Sequence, residues 1–274
     1  PRGPAGGASW TVGRGIPEGH PEGLGGESRC AKLEGSAVHS GSAGAERWSA
    51  GPAGSSSARD LATAGLKVLI LEEHSQVGKP LHCSGFVTPR TLKIADLGKD
   101  VLVSEIKGAQ VYGPKGSTLQ LGGDKTRAFV LDRVLFDKKL AESAQEAGAD
   151  LALANKLINI KRVNGHVSLQ ILHNGTQRTI TSSLLIGADG VRSIVAKWMG
   201  QKAKEIIWAL GAEVKIADHP VDMAQVFVGE TVAPKWFAWT IPIDRRRARI
   251  GIGIPFNNNG SGALKPRHYF TKLL

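Results

Sequence analysis

The stretch that most constrains the fold runs from Ser49 to Glu73, SAGPAGSSSARDLATAGLKVLILEE. Gly51, Pro52, Ala53 and Gly54 form a tight turn that opens a helix through Ser57, Ala58, Leu61 and Ala64, and Gly65 stops it. Lys67 to Leu71 (KVLIL) then reads as an apolar strand, closed by Glu72 with Glu73 beside it. Glycine lets a backbone approach a pyrophosphate, and a helix N-terminus offers N–H groups and the positive end of a dipole. An acid at the strand end can accept ribose hydroxyls. Small residues also permit plain helix–strand packing, so the glycines alone say little. The acid at this spacing, after a β-type run, is what points to a nucleotide.

Such a unit needs a buried strand ahead of its first glycine. Ser49 stands in that glycine's place, and GSAGAERW before it holds no run of Val, Ile or Leu. No first strand is expected. Residues 1–48 are rich in Gly, Ser and Pro without periodicity, which predicts a disordered low-complexity segment. The change in composition at Ser49 reads as a junction, such as a start-site or reading-frame error upstream of about Ala50 would leave.

The 274 residues suffice for one large domain or two modest ones, and 41% hydrophobic content is that of a globular chain. No apolar run is long enough to span a bilayer. Cys30 and Cys83 do not suggest a disulfide framework, and without a signal-peptide core the chain reads as cytoplasmic by default. Residues 1–48 are balanced, so the rest carries the whole formal charge of +11. A basic folded part fits phosphate head groups, a dinucleotide or a membrane surface, and equally a plain soluble surface. Zinc-finger spacing, an RNP-type aromatic pattern and basic heptads are all missing from the sequence, which argues against nucleic acid.

Residues 74–92, HSQVGKPLHCSGFVTPRTL, read as a loop from their Gly and Pro content. Cys83 on that loop is either a small half-buried residue or a thiol facing a reaction site. Strand-like pieces follow in 101–131. Leu135, Phe136, Leu140, Ala144 and Ala147 recur at helical spacing between Val134 and Ala147. A hairpin is expected around Asn174-Gly175, then a strand at Leu184–Ile186, a GADG turn and a helix from Ser193 to Met199. Residues 235–256 gather Trp236, Phe237, Trp239 and Pro242, as core or as the wall of an apolar pocket. Arg245, Arg246, Arg247 and Arg249 come next, either as a solvated turn or as a contact to lipid phosphate.

Taken together, GPAGSSSARDLATAGLKVLILEE, GKPLHCSG, DRVLFDKKLAESAQEAGA and LLIGADGVRS resemble the flavoprotein monooxygenase-like superfamily, and more narrowly the geranylgeranyl reductase family. Lys79-Pro80 followed by Cys83-Ser84-Gly85 resembles that family's PxxCxG loop. Phe237-Ala238-Trp239-Thr240-Ile241-Pro242, then Gly251-Ile252-Gly253, resembles its YxWxFP…GxG lipid fingerprint, with Phe237 and Ile241 as conservative departures. The resemblance covers about Ala50 to the C-terminus. It implies an α/β fold, a Rossmann-like FAD-binding portion over 49–200 carrying β insertions near 101–130, and the start of a mixed β-sheet substrate domain over 201–274. It also implies roles. Gly51, Ala53, Gly54, Glu72, Glu73, Arg133, Asp189 and Gly190 would bind FAD, Cys83 would lie near the flavin, and Phe237, Trp239 and Pro242 would line an isoprenoid pocket. No metal is implied.

The implied activity is saturation of a carbon–carbon double bond in a prenyl-lipid chain, with electrons from NADPH, ferredoxin or a deazaflavin, and with peripheral membrane contact. Family members continue to a second, GDAAG-like flavin motif that does not occur here. Two other readings compete. A flavin-dependent monooxygenase or halogenase would give oxygenated or halogenated products, and absence of bound flavin would speak for a non-catalytic nucleotide- or lipid-binding remnant.

Overall fold

The computed structural model describes residues 36–40, 50–81, 83–216, 219–256 and 266–273. All belong to one compact unit, Ala31–Leu274.

A four-stranded parallel sheet carries the glycine turn. Its strands are β1 (Ser36–Ser40), β2 (Val68–Leu71), β8 (Asp150–Ala152) and β12 (Leu184–Ala188), in the order β12-β1-β2-β8. The expectation that no strand precedes Gly51 is thereby corrected. SAVHS has little β-propensity of its own, but it pairs on both edges, from Ser36 opposite Leu184 and Val68 onward, and tertiary pairing overrides weak local preference. The remainder of 1–49 lies outside the described residues.

Helix α1 (Pro52–Thr63) has Gly51 as its N-cap and Pro52 in its first turn, where a missing N–H costs nothing. It ends with Gly65 at φ 83°, a conformation glycine adopts freely. Its buried Ala58 and Ala62 lie against Ala141 and Ala144 of α3 (Arg133–Glu146), so the two helices approach closely over small side chains.

The segment read as a loop is partly ordered. Phe86–Val87 form β3, which adds to the edge of β7 (Ala128–Leu131), and Pro89–Ala95 form α2. The pattern of Gly and Pro hid this, yet Pro89 sits in the first helical turn, the one helical place that suits it. Together with β4 (Leu102–Ile106), these strands make a three-stranded sheet in the order β3-β7-β4.

A second three-stranded sheet contains β9 (Asn155–Val163), β10 (His166–His173) and β11 (Thr176–Ser182). The expected Asn174-Gly175 hairpin joins the last two, with both turn residues at positive φ. Helix α4 (Ile194–Trp198) follows the GADG turn.

The largest sheet has six strands in the order β13-β16-β15-β14-β5-β6. It draws β5 (Gly108–Tyr112) and β6 (Thr118–Gly122) from one part of the sequence. From another it takes β13 (Ile207–Lys215), β14 (Met223–Gly229), β15 (Ala233–Pro242) and β16 (Arg247–Pro255). One face is closed: Ala238, Ile250, Ile252 and Ile254 pack with Phe270 of α5 (Pro266–Leu273). The opposite face meets the β3-β7-β4 sheet through Ile241, Ala224, Ile106 and Val130, with Trp239 packed against them and Phe237 exposed.

Candidate active site

The site has a nucleotide side, a thiol loop and an aromatic row. On the nucleotide side, β2 delivers Glu72 to the start of α1, where it is buried. Its Oε2 accepts the Ala50 N–H at 2.6 Å, and its Oε1 accepts the His74 N–H at 2.8 Å and faces His74 Nδ1 at 2.7 Å. The carboxylate therefore ties the glycine turn to the segment leaving β2. Gly54 is buried in α1 and Ala53 is exposed, and the first turn of the helix holds no acid to oppose an anion. Glu73 pairs through Oε2 with Lys156 Nζ at 3.2 Å, while its Oε1 is buried without a hydrogen-bond partner.

Asp189 ends β12 and is buried. Its carboxylate accepts the Ile194 N–H at 2.6 Å, the Val195 N–H at 3.2 Å and the hydroxyl of Ser193, the N-cap of α4, so it supports the start of that helix. Gly190, at φ 65°, makes the turn between strand and cap.

The thiol loop sits beside the start of α3. Asp132 caps that helix by accepting the Leu135 N–H at 3.0 Å, which places Arg133 in the first turn. Arg133 forms a two-pronged ion pair with Asp137, at 3.1 and 2.9 Å, one helical turn on. Burial works to lower the pKa of the Arg133 guanidinium, but Asp137 and the neighbouring Cys83 outweigh it and hold it up. Burial pushes the Asp137 carboxyl above the ordinary aspartate value; Arg133 pulls it down, and the nearby Glu72 charge pushes it up again. The exposed Cys83 thus adjoins the Arg133–Asp137 ion pair, and Asp137 feels the charge of Glu72 at the glycine turn. Gly85 donates its N–H to Cys83 Sγ at 3.4 Å.

The aromatic row lies on the open face of the six-stranded sheet. Alternation puts Phe237, Trp239 and Ile241 on one side of β15 and the Pro242 ring on the other, while the Pro242 backbone carbonyl accepts the Ser104 hydroxyl of β4 at 2.8 Å. Trp236 should face away from Phe237. However, Lys235 adopts φ 59° in an irregular stretch of β15, and the Trp236 ring stacks on Phe237 with centroids 5.3 Å apart. Phe237 in turn meets Trp239 edge-on at 5.9 Å. The GxG of β16 is the floor of this row. A Cβ on Gly251 would come within 2.2 Å of the Trp239 ring, and one on Gly253 within 2.3 Å of Trp236. Phe237 and Trp236 remain 36% and 42% exposed.

The structure therefore gathers Cys83 and Arg133 into one cluster and Phe237 and Trp239 into one row. Trp236 joins that row, although alternation alone would have excluded it. Asp137 and His74 were missed; an acid one helical turn after Arg133 was the available signal for the first. Among the described residues, no group of three His, Cys, Asp or Glu could hold a metal.

Residues 49–233 match the FAD binding domain family. The chain belongs to that family. The chain is also 29% identical over 236 residues to the digeranylgeranylglycerophospholipid reductase of Methanosarcina acetivorans, covering 82% of this chain and 58% of that protein. It is 33% identical over 234 residues to digeranylgeranylglycerophospholipid reductase 1 of Methanococcoides burtonii, covering 82% and 57%. Among solved structures it resembles a geranylgeranyl bacteriochlorophyll reductase-like protein from Thermoplasma acidophilum. There the TM-score is 0.75 and the identity 29%, over 87% of this chain and 60% of the other. The p-nitrophenol 4-monooxygenase of Pseudomonas putida, at 17% identity and TM-score 0.66, covering 88% and 61%, shares the fold alone. The chain thus spans somewhat over half the length of the curated relatives it matches.

The residues present fit FAD. A helix start with no acid in its first turn suits a pyrophosphate, and the unpartnered Glu73 Oε1 is an acceptor for a hydroxyl donor.

Proposed function

We propose that the chain carries the FAD-dependent machinery for saturating carbon–carbon double bonds in a prenyl-lipid chain. The row Trp236–Phe237–Trp239, seated on Gly251 and Gly253 and open to solvent, carries this reading. Such a surface suits a long, flat, apolar chain without polar handles. The names of the relatives support the same substrate class.

In this reading Gly51, Ala53, Gly54, Glu72 and Glu73 hold the nucleotide end of FAD, and Asp189 and Gly190 shape the adjoining turn. Bound FAD, once reduced, supplies the hydride. An isolated alkene develops little charge for hydrogen-bond donors to stabilise, so the protein contributes alignment and the exclusion of water. Phe237 and Trp239 hold the chain and Trp236 extends their surface, while Pro242 anchors the end of β15 to β4. Cys83 Sγ holds or relays the proton that the second alkene carbon requires. The net charge of +11 and the exposed rings favour peripheral contact with an anionic membrane surface. Among the described residues, no helix is long and apolar enough to cross a membrane.

The test starts from the purified chain incubated with FAD and desalted. A retained, shifted flavin absorption band is expected. After chemical reduction, a geranylgeranyl lipid should gain two hydrogens for each bond saturated, as read by mass spectrometry. A colourless protein, or oxygenated or halogenated products, would sink the reading. Cys83→Ala should lower turnover while leaving the flavin band unchanged.

A further inference from the structure

Arg249 belongs to a run of arginines, but its surroundings differ from those of its neighbours. Arg247 is half-exposed and commits its guanidinium to Asp244 at 2.8 Å and Glu213 at 3.1 Å. Arg249 is 13% exposed; its Nε shares Glu213 with Arg247, at 3.9 Å, while its Nη1 turns inward. Its Nη1 donates to the carbonyl of Ser84 at 2.7 Å and to that of Leu131 at 2.8 Å. One nitrogen thus bridges the thiol loop and the end of β7.

The packing around this bridge is tight. Gly85 accepts the Leu131 N–H through its own carbonyl at 2.9 Å. A Cβ on Gly85 would lie 2.5 Å from the Leu131 carbonyl oxygen and 2.9 Å from Arg249 Nη1. Along β16, alternation places Arg249, Gly251 and Gly253 on the same face. The strand whose glycines seat Trp239 and Trp236 therefore also reaches, two residues earlier, to the loop that bears Cys83.

We propose that Arg249 is a positioning residue that pins the Cys83 loop to β16, so that the thiol and the aromatic row keep a fixed register. The inference deepens the proposed reductase reading and depends on it only where turnover is measured. Arg249 is not placed to touch the reacting atoms.

The test uses the full chain with Cys30→Ser, leaving Cys83 as the single thiol for a nitroxide label. Arg249→Met should sharpen the spectrum of the label, as a released loop would. Arg247→Met, which removes the same charge from the same hairpin, should leave the spectrum unchanged, and Arg249→Lys should restore most of the immobility. Identical spectra for all variants would overturn the proposal. If Arg249→Met does not fold, Arg249→Gln takes its place: a sharpened spectrum supports the pin and an unchanged one overturns it. In turnover of unlabelled protein, Arg249→Met should lower kcat by on the order of 10–100-fold with little change in KM, as expected for misplacement rather than lost binding. A mobile label with unchanged kcat would also overturn it. If no variant reduces the lipid, the reductase reading fails while the label still decides whether Arg249 holds the loop.

Discussion

The two faces of the six-stranded sheet are built from alternate residues of the same strands and do opposite things. On β16, Ile250, Ile252 and Ile254 point into a closed core beneath α5. Their neighbours Gly251 and Gly253 give up side chains so that indole rings can lie across the backbone. On β15, Ala238 is fully buried while Phe237 and Trp239 look the other way. A sheet that needed only stability would close both faces. This one packs Ile250, Ile252 and Ile254 against α5 on one side, where Trp208 and Leu210 on β13 stay 41% and 36% exposed, while on the other it carries large rings over glycines and leaves part of them exposed. In the proposed reading, a prenyl chain covers the rings left exposed on this face.

Substitutions on the two faces should separate accordingly. Ile252→Ala, on the closed face, should cost about 2–5 kcal/mol in urea unfolding, because the cavity cannot readily collapse between β13 and α5. A loss below about 1 kcal/mol would mean that this face is not packed as described. Gly251→Val should cost less, about 1–3 kcal/mol of overpacking, but should displace the Trp239 ring. Altered near-ultraviolet dichroism and weakened lipid binding with a retained fold would mark the open face, and unchanged lipid binding would count against it.

The buried ion pair beside the thiol loop allows a finer test. Because burial raises the Asp137 carboxyl, the native state binds that proton more tightly than the unfolded chain does. Its contribution to stability is present below the ordinary aspartate range and is lost as the pH rises through the raised value. Asp137→Asn should remove that decline, giving a flatter stability profile in weakly acidic solution. A profile parallel to wild type would show that Asp137 titrates normally. The smallest effect is expected for Arg247→Met, whose exposed ion pairs should leave the unfolding midpoint unmoved.

What could be read from the sequence follows the same division. The glycine turn, the strand ending at Glu72, α3 and the Asn174-Gly175 hairpin all rest on local spacing, and they stand where that spacing places them. Features made by distant partners were not legible. β1 exists through pairing on both edges, and β3 by adding to β7. Trp236 joins the ring row because Lys235 takes a positive φ, which no alternation rule foresees. Arg249 looked like any member of a charged run; only its proximity to Ser84 and Leu131 sets it apart.

The make-up of the largest sheet bears on how the chain acquires its shape. Its β5 pairs with β14, joining Gly108–Tyr112 to Met223–Phe227 across more than a hundred intervening residues. Closing so long a loop before any pairing rewards it makes this step slow. Until β14 arrives, the β5–β6 hairpin presents a free edge beside the exposed Leu119 and Leu121. On a ribosome, that hairpin must wait until β14 has been synthesised, and a chain released before then would be prone to aggregate through that edge.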